Sequence, residues 1–214
     1  MDALDRLLAA GVRRLCVDSR NVSSTCAFVA LPPATPESLN GREFALKALA
    51  AGAPLVLGEG EAPEGVPQTQ WVALARVRID YPRLASALAG MPAGAMDVVG
   101  VTGTDGKTSV TWLASELLNR IDPGSCGRVG TLGVQWHDVD ETPGYTTPPA
   151  AVLQPLLARM RGDGVRRVVM EVSSHAIALG RVEGVPFRAG VLTSLARDHL
   201  DFHGDLASYH ATKT

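Results

Sequence analysis

The sequence carries little net charge and no long apolar run. It has 20 Lys and Arg against 22 Asp and Glu, a formal net charge of -2. This balance gives no general electrostatic reason to bind nucleic acid or an anionic membrane, so any anion site must be local. No apolar stretch reaches the roughly eighteen residues of a membrane-spanning helix. The N-terminal MDALDRLLAAGVRRL lacks the features of a secretory signal, so we expect a cytoplasmic protein without membrane insertion.

Cysteine is also scarce. Cys16, Cys26 and Cys126 form no C-x-x-C pair and are odd in number. Their spacing fits neither a zinc site nor a disulfide framework. We therefore expect buried free thiols.

The composition that is present is that of a folded protein. Hydrophobic residues make up 46% and charged residues 20% of the 214 residues. This length leaves room for two domains. The segment MPAGA, residues 91–95, has the composition of a linker. We therefore place a domain boundary between residues 92 and 93.

The pattern of apolar residues predicts an α/β fold. Residues 17–57 read as short strands and turns with a helix near residues 44–51, followed by a loop at 58–67 and a helix at 81–89. After the linker, MDVVGV reads as a strand, TGTDGKT as a turn and SVTWLASELLNR as a helix. A helix over residues 150–161 and the strands RRVVMEVSS and FRAGVLTSL follow. This order indicates βαβ units on a parallel sheet.

The turn TGTDGKT indicates a phosphate-binding loop. Gly103 and Gly106 permit a tight turn whose amides face phosphate oxygens, Lys107 supplies a cation, and Thr108 is a candidate magnesium ligand. The match to G-x-x-x-x-G-K-[ST] is incomplete because Val101 occupies the position of the first glycine. A glycine turn with a solvated lysine is the alternative on this motif alone. The strand before the turn and the helix after it favour the anion site.

Polar residues follow two further predicted strands. Glu171 ends VVMEV, where packing alone would not select a carboxylate, although a structural ion pair is an alternative. The next strand is followed by RDHLDFHG, read as a loop that carries Asp198, His199, Asp201 and His203. Surface positions are the more common role for such histidines. Because parallel strands end at one edge, we expect Thr108, Glu171 and His199 to converge on a magnesium-nucleotide site.

Four motifs together resemble the Mur ligase family, and its MurE type in particular: TGTDGKTS, YTTP, MEVSSHAI and DHLDFHGDLASYHATK. DSR at residues 18–20, followed by FVAL, resembles the N-terminal UDP-binding domain of these enzymes. The resemblance spans nearly the whole chain. It implies a small α/β UDP-binding domain over residues 1–92. A P-loop-type ATPase domain with a mostly parallel sheet would occupy residues 93–214 and be incomplete, with the C-terminal ligase domain absent.

The resemblance also implies roles for individual residues. The ATP-binding residues would be Gly103, Thr104, Asp105, Gly106, Lys107, Thr108 and Ser109. The substrate-binding residues would be Ser19, at the uracil, and Thr146, Thr147, Ser173 and Arg181, at the sugar-peptide. The catalytic residues would be Lys107, Glu171, His199 and Lys213. The magnesium ligands would be Thr108, Glu171, His199 and, if carbamylated, Lys213.

The implied activity is that of an ATP-dependent, ADP-forming ligase with ATP and Mg²⁺ as cofactors. It would add the third amino acid to UDP-N-acetylmuramoyl-L-alanyl-D-glutamate through an acyl phosphate that the incoming amine attacks. This step belongs to peptidoglycan synthesis, on which the cell wall, cell shape and cell division depend. We favour meso-diaminopimelate as the amino acid over L-lysine, and a monomer at full length. Because the chain ends just after the lysine motif, we expect it to be inactive alone.

Two positions depart from the family pattern. Asp105 stands where most relatives have asparagine, and Arg42 in GREF stands where many have histidine. A carboxylate at residue 105 lies near the expected phosphates, where it would either weaken binding or reach a cation.

Three alternatives remain open. A ligase of the folylpolyglutamate synthase type shares the GKT loop, but EVSSH, TTP and DSR argue against it. The others are a binding module for the UDP-sugar-peptide without turnover and a generic P-loop NTPase. A serine hydrolase is rejected because Ser173 and Ser174 lack a G-x-S-x-G elbow.

Overall fold

The computed structural model describes residues 2–142 and 144–214. The chain divides into two compact units. The first comprises Met1–Gly90 and Ala150–Pro155, and the second comprises Met91–Pro149 and Leu156–Thr214. The 3-10 turn Pro92–Ala95 lies just after this division, and Pro92 and Ala93 are buried in it. In the described part of the chain, every helix is too short or too polar to cross a bilayer.

The first unit contains a four-stranded parallel sheet in the order β1-β2-β3-β4. Its strands are β1 (Arg14–Cys16), β2 (Cys26–Val29), β3 (Val56–Glu59) and β4 (Trp71–Leu74). Its helices are α1 (Ala3–Ala9), α2 (Ala45–Ala50) and α3 (Val77–Leu88).

Two apolar clusters cover the faces of this sheet. Ala27 and Val29 of β2 pack in one cluster, whereas the alternate residue Phe28 packs in the other with Trp71. All four residues of β2 are buried. A strand that is buried on both faces has a continuous apolar sequence, which is typical of parallel sheets.

The second unit contains a six-stranded sheet in the order β10-β5-β9-β6-β7-β8. Its strands are β5 (Asp97–Thr102), β6 (Cys126–Gly130), β7 (Gly133–Trp136), β8 (Val139–Glu141), β9 (Arg167–Glu171) and β10 (Phe187–Leu192). The helices that follow residue 96 are α4 (Lys107–Ile121), α5 (Ala150–Gly162), α6 (Ser174–Ala178), α7 (Leu200–His203) and α8 (Leu206–Ala211).

Parallel pairing places the ends of β5, β6, β9 and β10 at one edge of this sheet. Val101 of β5 pairs with Glu171 of β9, and Val129 of β6 pairs with Met170. The loops that follow the carboxyl ends of neighbouring parallel strands form the usual ligand site of such sheets. The predicted α/β class is confirmed, and strands β7 and β8 add an antiparallel extension.

Two elements differ from the sequence-based expectation. Helix α3 begins at Val77, four residues before the predicted start. Two side chains accept hydrogen bonds from the backbone amides at this end of the helix: Asp80 from the Arg76 amide and Glu59 from the Val77 amide. The hairpin of β7 and β8 was not predicted. It turns at His137, which adopts a φ of 47° without the glycine or asparagine that usually marks such turns.

Gly58→Ala is expected to lower the free energy of unfolding by about 1–3 kcal/mol, the usual range for overpacking a core. A Cβ at this position would clash with the Cη2 and Cζ2 atoms of Trp71, which is fully buried. Urea denaturation followed by circular dichroism measures the loss. In a Trp71→Phe background these indole atoms are absent, so the same substitution should cost less. An equal cost in both backgrounds would contradict this packing.

Candidate functional site

The predicted site residues of the second unit meet at a cavity of about 200 Å³. The segments that follow strands β5, β6, β9 and β10 line this cavity. The sequence-predicted residues on its walls are Gly103, Lys107, Thr108, Thr146, Glu171, Ser173, His199 and Lys213. The cavity is therefore built from several loops of one sheet edge, which is the arrangement expected of a ligand site.

The glycine loop has the backbone geometry that its sequence predicts. Gly103 has a φ of 144° and Gly106 a φ of 84°, and helix α4 starts at Lys107. A side chain at residue 103 would collide with the Thr193 hydroxyl. The first amides of a helix lack intrahelical partners and attract anions. Glycine at these positions thus allows the start of α4 to face the cavity.

The segment after β10 fixes this loop. The amide of Thr104 donates to the Ser194 carbonyl at 2.9 Å, and the amide of Asp105 donates to the Ser194 hydroxyl at 2.9 Å. The Thr104 hydroxyl accepts from the Ala196 amide and lies 3.0 Å from the Tyr209 hydroxyl. Thr104 therefore holds the loop in place, while the side chains of Asp105 and Ser109 are exposed.

Lys107 points its ammonium back over the loop. Its Nζ atom donates to the carbonyls of Gly103 and Thr104, each at 2.8 Å. An ammonium has three donor hydrogens, so one remains beyond these two bonds. The cation is held at the cavity wall with capacity for an anion.

Glu171 is a buried carboxylate at the cavity, with 1% of its surface exposed. Its Oε2 atom accepts from the Thr108 hydroxyl at 2.9 Å and from the Thr131 hydroxyl at 3.3 Å, and its Oε1 atom accepts from the Thr131 amide at 2.8 Å. Within residues 2–142 and 144–214 no Lys, Arg or His forms an ion pair with it. A Cβ on Gly130 would overlap the carboxylate, so glycine provides its space.

A second chain of hydrogen bonds links the predicted substrate residues. The buried Thr147 hydroxyl donates to the Glu171 carbonyl at 2.9 Å and accepts from the Ser173 amide at 3.1 Å. Arg181 Nη1 donates to the Thr147 carbonyl at 3.0 Å, and Thr146 accepts from Thr131 at 3.0 Å. Thr146 and Ser173 line the cavity, and Thr147 and Arg181 are joined to it through these hydrogen bonds.

Histidine rings cluster beside the cavity. The ring of His175 lies 4.7 Å from that of His199 and 5.8 Å from that of His203, measured between centroids. Burial, with further contributions from neighbouring cationic groups, lowers the pKa of both His175 and His203, which favours their neutral forms. The prediction that this segment is a loop is wrong in part, because residues 200–203 form the one-turn helix α7. The backbone amide of His203 donates to the His199 carbonyl and closes this turn.

Lys213 reaches the same cavity from the end of helix α8. Its ammonium contacts the Tyr209 hydroxyl and lies 3.8 Å from the centroid of that ring. A cation over an aromatic face is stabilised electrostatically. The carbamylation of Lys213 stays a prediction.

The first unit contains Ser19 and Arg42. Ser19 is buried at the start of a 3-10 turn that Asp18 caps. The Asp18 carboxylate forms an ion pair with the Arg20 guanidinium at 2.7 Å. The Arg20 guanidinium lowers the pKa of Asp18 to about 2. Arg42 donates to the carbonyls of Glu59 and Glu61, so the arginine at this position holds the loop after β3.

Three residues at the cavity were not predicted: Thr131, Ser174 and Tyr209. Thr131 follows β6 in the segment GTLG, and a polar residue between glycines at the end of a strand was the available signal. Tyr209 lies four residues before Lys213, a spacing that brings side chains together on a helix. The segment that follows β6 therefore contributes Thr131 to the site, alongside Ser173 and Ser174 from the segment that follows β9.

Comparison with protein families identifies residues 101–214 with the Mur ligase middle domain. Among curated relatives, the UDP-N-acetylmuramoyl-L-alanyl-D-glutamate--2,6-diaminopimelate ligase of Alkalilimnicola ehrlichii is 46% identical over 210 residues, which cover 94% of this chain and 41% of the relative. The ligase of the same name from Pseudomonas putida is 39% identical over 205 residues, which cover 94% and 40%. This chain thus spans about two fifths of the length of these relatives.

Solved structures agree on the fold. A structure of a UDP-N-acetylmuramoyl-L-alanyl-D-glutamate--2,6-diaminopimelate ligase matches with a TM-score of 0.80 and 31% identity, covering 94% of this chain and 40% of the other. MurF ligase from Thermotoga maritima, solved in complex with ADP, matches with a TM-score of 0.61 and 23% identity, covering 100% and 43%. The middle-domain match covers more than half of the chain, and the chain therefore belongs to the Mur ligase family.

Proposed function

We propose that this chain is the UDP-binding and ATP-binding part of a ligase that adds the third amino acid to UDP-N-acetylmuramoyl-L-alanyl-D-glutamate. The observation that carries the proposal is the buried carboxylate of Glu171, which faces the cavity 2.9 Å from the Thr108 hydroxyl at the end of the glycine loop. The names of the curated relatives support the substrate. The reaction would be ADP-forming and part of peptidoglycan synthesis in the cytoplasm.

ATP is the nucleotide that the loop would hold. Residues 103–109 combine left-handed glycines, the start of a 15-residue helix and a partly buried lysine. Backbone amides at a helix start, together with a lysine, suit phosphate groups. Lys107 would offset the negative charge that accumulates when a phosphate approaches a carboxylate substrate.

Magnesium fits the donor set at the cavity. Thr108 and Glu171 supply oxygen ligands, and Mg²⁺ is bound by few protein oxygens while it retains several waters. Glu171 is buried, and among the described residues its carboxylate accepts hydrogen bonds only from neutral donors, so a cation would compensate its charge. When bound, Mg²⁺ supplies charge neutralisation at the phosphates. His199 and a carbamylated Lys213 would extend this ligand set.

The carboxylate substrate would lie on the side of Thr146, Ser173 and Arg181. These residues offer two hydroxyls and a guanidinium, which suit a polar, acidic ligand. Ser19 would contact the uracil, so residues 1–92 would form the UDP-binding domain and residues 93–214 the ATP-binding domain. The relatives' names favour diaminopimelate as the added amino acid over L-lysine. The full-length protein would act as a monomer.

Lys107→Met is expected to weaken ATP binding by on the order of 10- to 100-fold, because it removes a charged hydrogen bond of about 1.5–3 kcal/mol. Calorimetric titration of the 214-residue chain with ATP and Mg²⁺ measures this change. Lys47→Met is the matched control, since Lys47 is an exposed lysine of the first unit. A Lys107→Met chain that binds ATP as tightly as the wild type would contradict the role of the loop.

Arg181→Ala is expected to weaken binding of UDP-N-acetylmuramoyl-L-alanyl-D-glutamate by about tenfold or more, the usual effect of losing a charge-assisted hydrogen bond. Calorimetry of the same chain provides the measurement, and Arg181→Lys should retain part of the affinity. Normal ATP binding by the variant shows that it is folded. If the folded wild-type chain binds ATP but not this ligand, the substrate assignment is wrong and a generic NTPase becomes the better description.

A further inference from the structure

A second cavity of about 130 Å³ lies in the second unit, between helix α4 and strands β6 and β7. Its lining includes Ser115, Glu116 and Asn119 of α4, Arg128 of β6 and Gln135 of β7. It shares no lining residue with the cavity of the glycine loop. The two cavities are therefore separate sites.

The second cavity contains an arginine that is almost fully buried. Arg128 is 8% exposed, on a strand whose five residues are all buried. Its Nη2 atom donates to the Gln135 side-chain oxygen at 2.9 Å across the β6-β7 pair. Its Nε and Nη1 atoms have no hydrogen-bond partner among the described residues. Since a guanidinium remains charged in proteins, this leaves a buried cation with two unsatisfied donors.

The other polar groups of the cavity do not compensate this charge. The Asn119 side chain donates to the carbonyl of Cys126 and accepts from its amide, and the Ser115 hydroxyl donates to the Trp112 carbonyl. Gln135 accepts through its oxygen, which leaves its NH₂ group as a further donor near the guanidinium.

Three further titratable groups line this cavity: Glu116, His137 and the thiol of Cys126, whose pKa burial raises to about 11. Glu116 is at its wall, but its carboxylate forms no ion pair with Arg128 in the described part of the chain. His137 directs its Nε2 atom at the Asp163 carbonyl, at 3.0 Å. Among the described residues that line this cavity, the buried donors without a partner therefore belong to the Arg128 guanidinium.

We propose that this cavity binds a small oxyanion, a phosphate or a carboxylate group, through Arg128 and Gln135. Buried donors without acceptors are unfavourable, and an oxyanion supplies several acceptor oxygens and a compensating charge. The cavity has room for such a group, since its volume of about 130 Å³ is several times the roughly 30 Å³ that a water molecule occupies in the liquid. The site lies outside the nucleotide and substrate machinery proposed above.

The test is nuclear magnetic resonance of the 214-residue chain labelled with ¹⁵N, read at the Nε–H signal of Arg128. This signal is identified by its loss in Arg128→Lys. Titration with inorganic phosphate, and separately with acetate, should shift the signal to saturation, whereas sodium chloride at the same ionic strength should not. The shift should persist in Lys107→Met, which removes the cation of the other cavity. The response to phosphate or to acetate assigns the preferred oxyanion.

Two results would overturn the proposal. One is the absence of a saturable shift with either anion in a chain whose other signals show that it is folded. The other is a shift that occurs only in Glu116→Gln, because this would show that Glu116 already fills the site in solution. A saturable shift in the wild type that is lost in Gln135→Leu, with the Arg128 signal still present, supports the assignment of both residues.

Discussion

The site of the second unit depends on the burial of one carboxylate. Glu171 ends a central strand and is almost fully enclosed. Within the part of the chain that the structure describes, its two oxygens are held only by the hydroxyls of Thr108 and Thr131 and the amide of Thr131. An ionised carboxylate in this environment lacks its hydration shell, and within residues 2–142 and 144–214 it forms no ion pair with a Lys, Arg or His. The fold therefore encloses a carboxylate that the proposed metal ion would complement. Gly130 is part of the same constraint, because any side chain there would occupy the space of the carboxylate.

This constraint joins three loops into one site. Thr108 belongs to the start of α4, Thr131 follows β6, and the carbonyl of Glu171 accepts from Thr147 in the segment before α5. Displacement of the carboxylate would thus disturb the start of α4 and the segment of Thr147 together, which are the proposed nucleotide and substrate sides of the site. The segment after β10 also holds the glycine loop, because the Ser194 hydroxyl accepts a hydrogen bond from the Asp105 amide. These hydrogen bonds position the loops before any ligand binds, which reduces the entropic cost of ordering the site on binding.

Much of this arrangement could be predicted from the sequence, for physical reasons that differ between elements. The glycines of the loop before α4 and the glutamate at the end of an apolar strand are local signals, because a tight turn favours glycine and packing alone does not favour a carboxylate in a buried strand. Thr131 was missed because a threonine after a strand is common, and its bond to Glu171 spans 40 residues. The turn at His137 was missed because its positive φ is imposed by the surrounding hairpin and not by the residue type. The unsatisfied donors of Arg128 likewise appear only when the burial of the strand is known.

The most direct test of the central claim is the magnesium dependence of ATP binding in wild type and Glu171→Gln. Glutamine retains the size of glutamate and an acceptor for Thr131, but it removes the charge. The account predicts that the wild-type chain binds ATP more tightly with Mg²⁺ than with EDTA, and that the variant loses this difference while it keeps its magnesium-free affinity. A variant that retains the full magnesium enhancement would contradict the assignment of Glu171 as the residue that holds the metal.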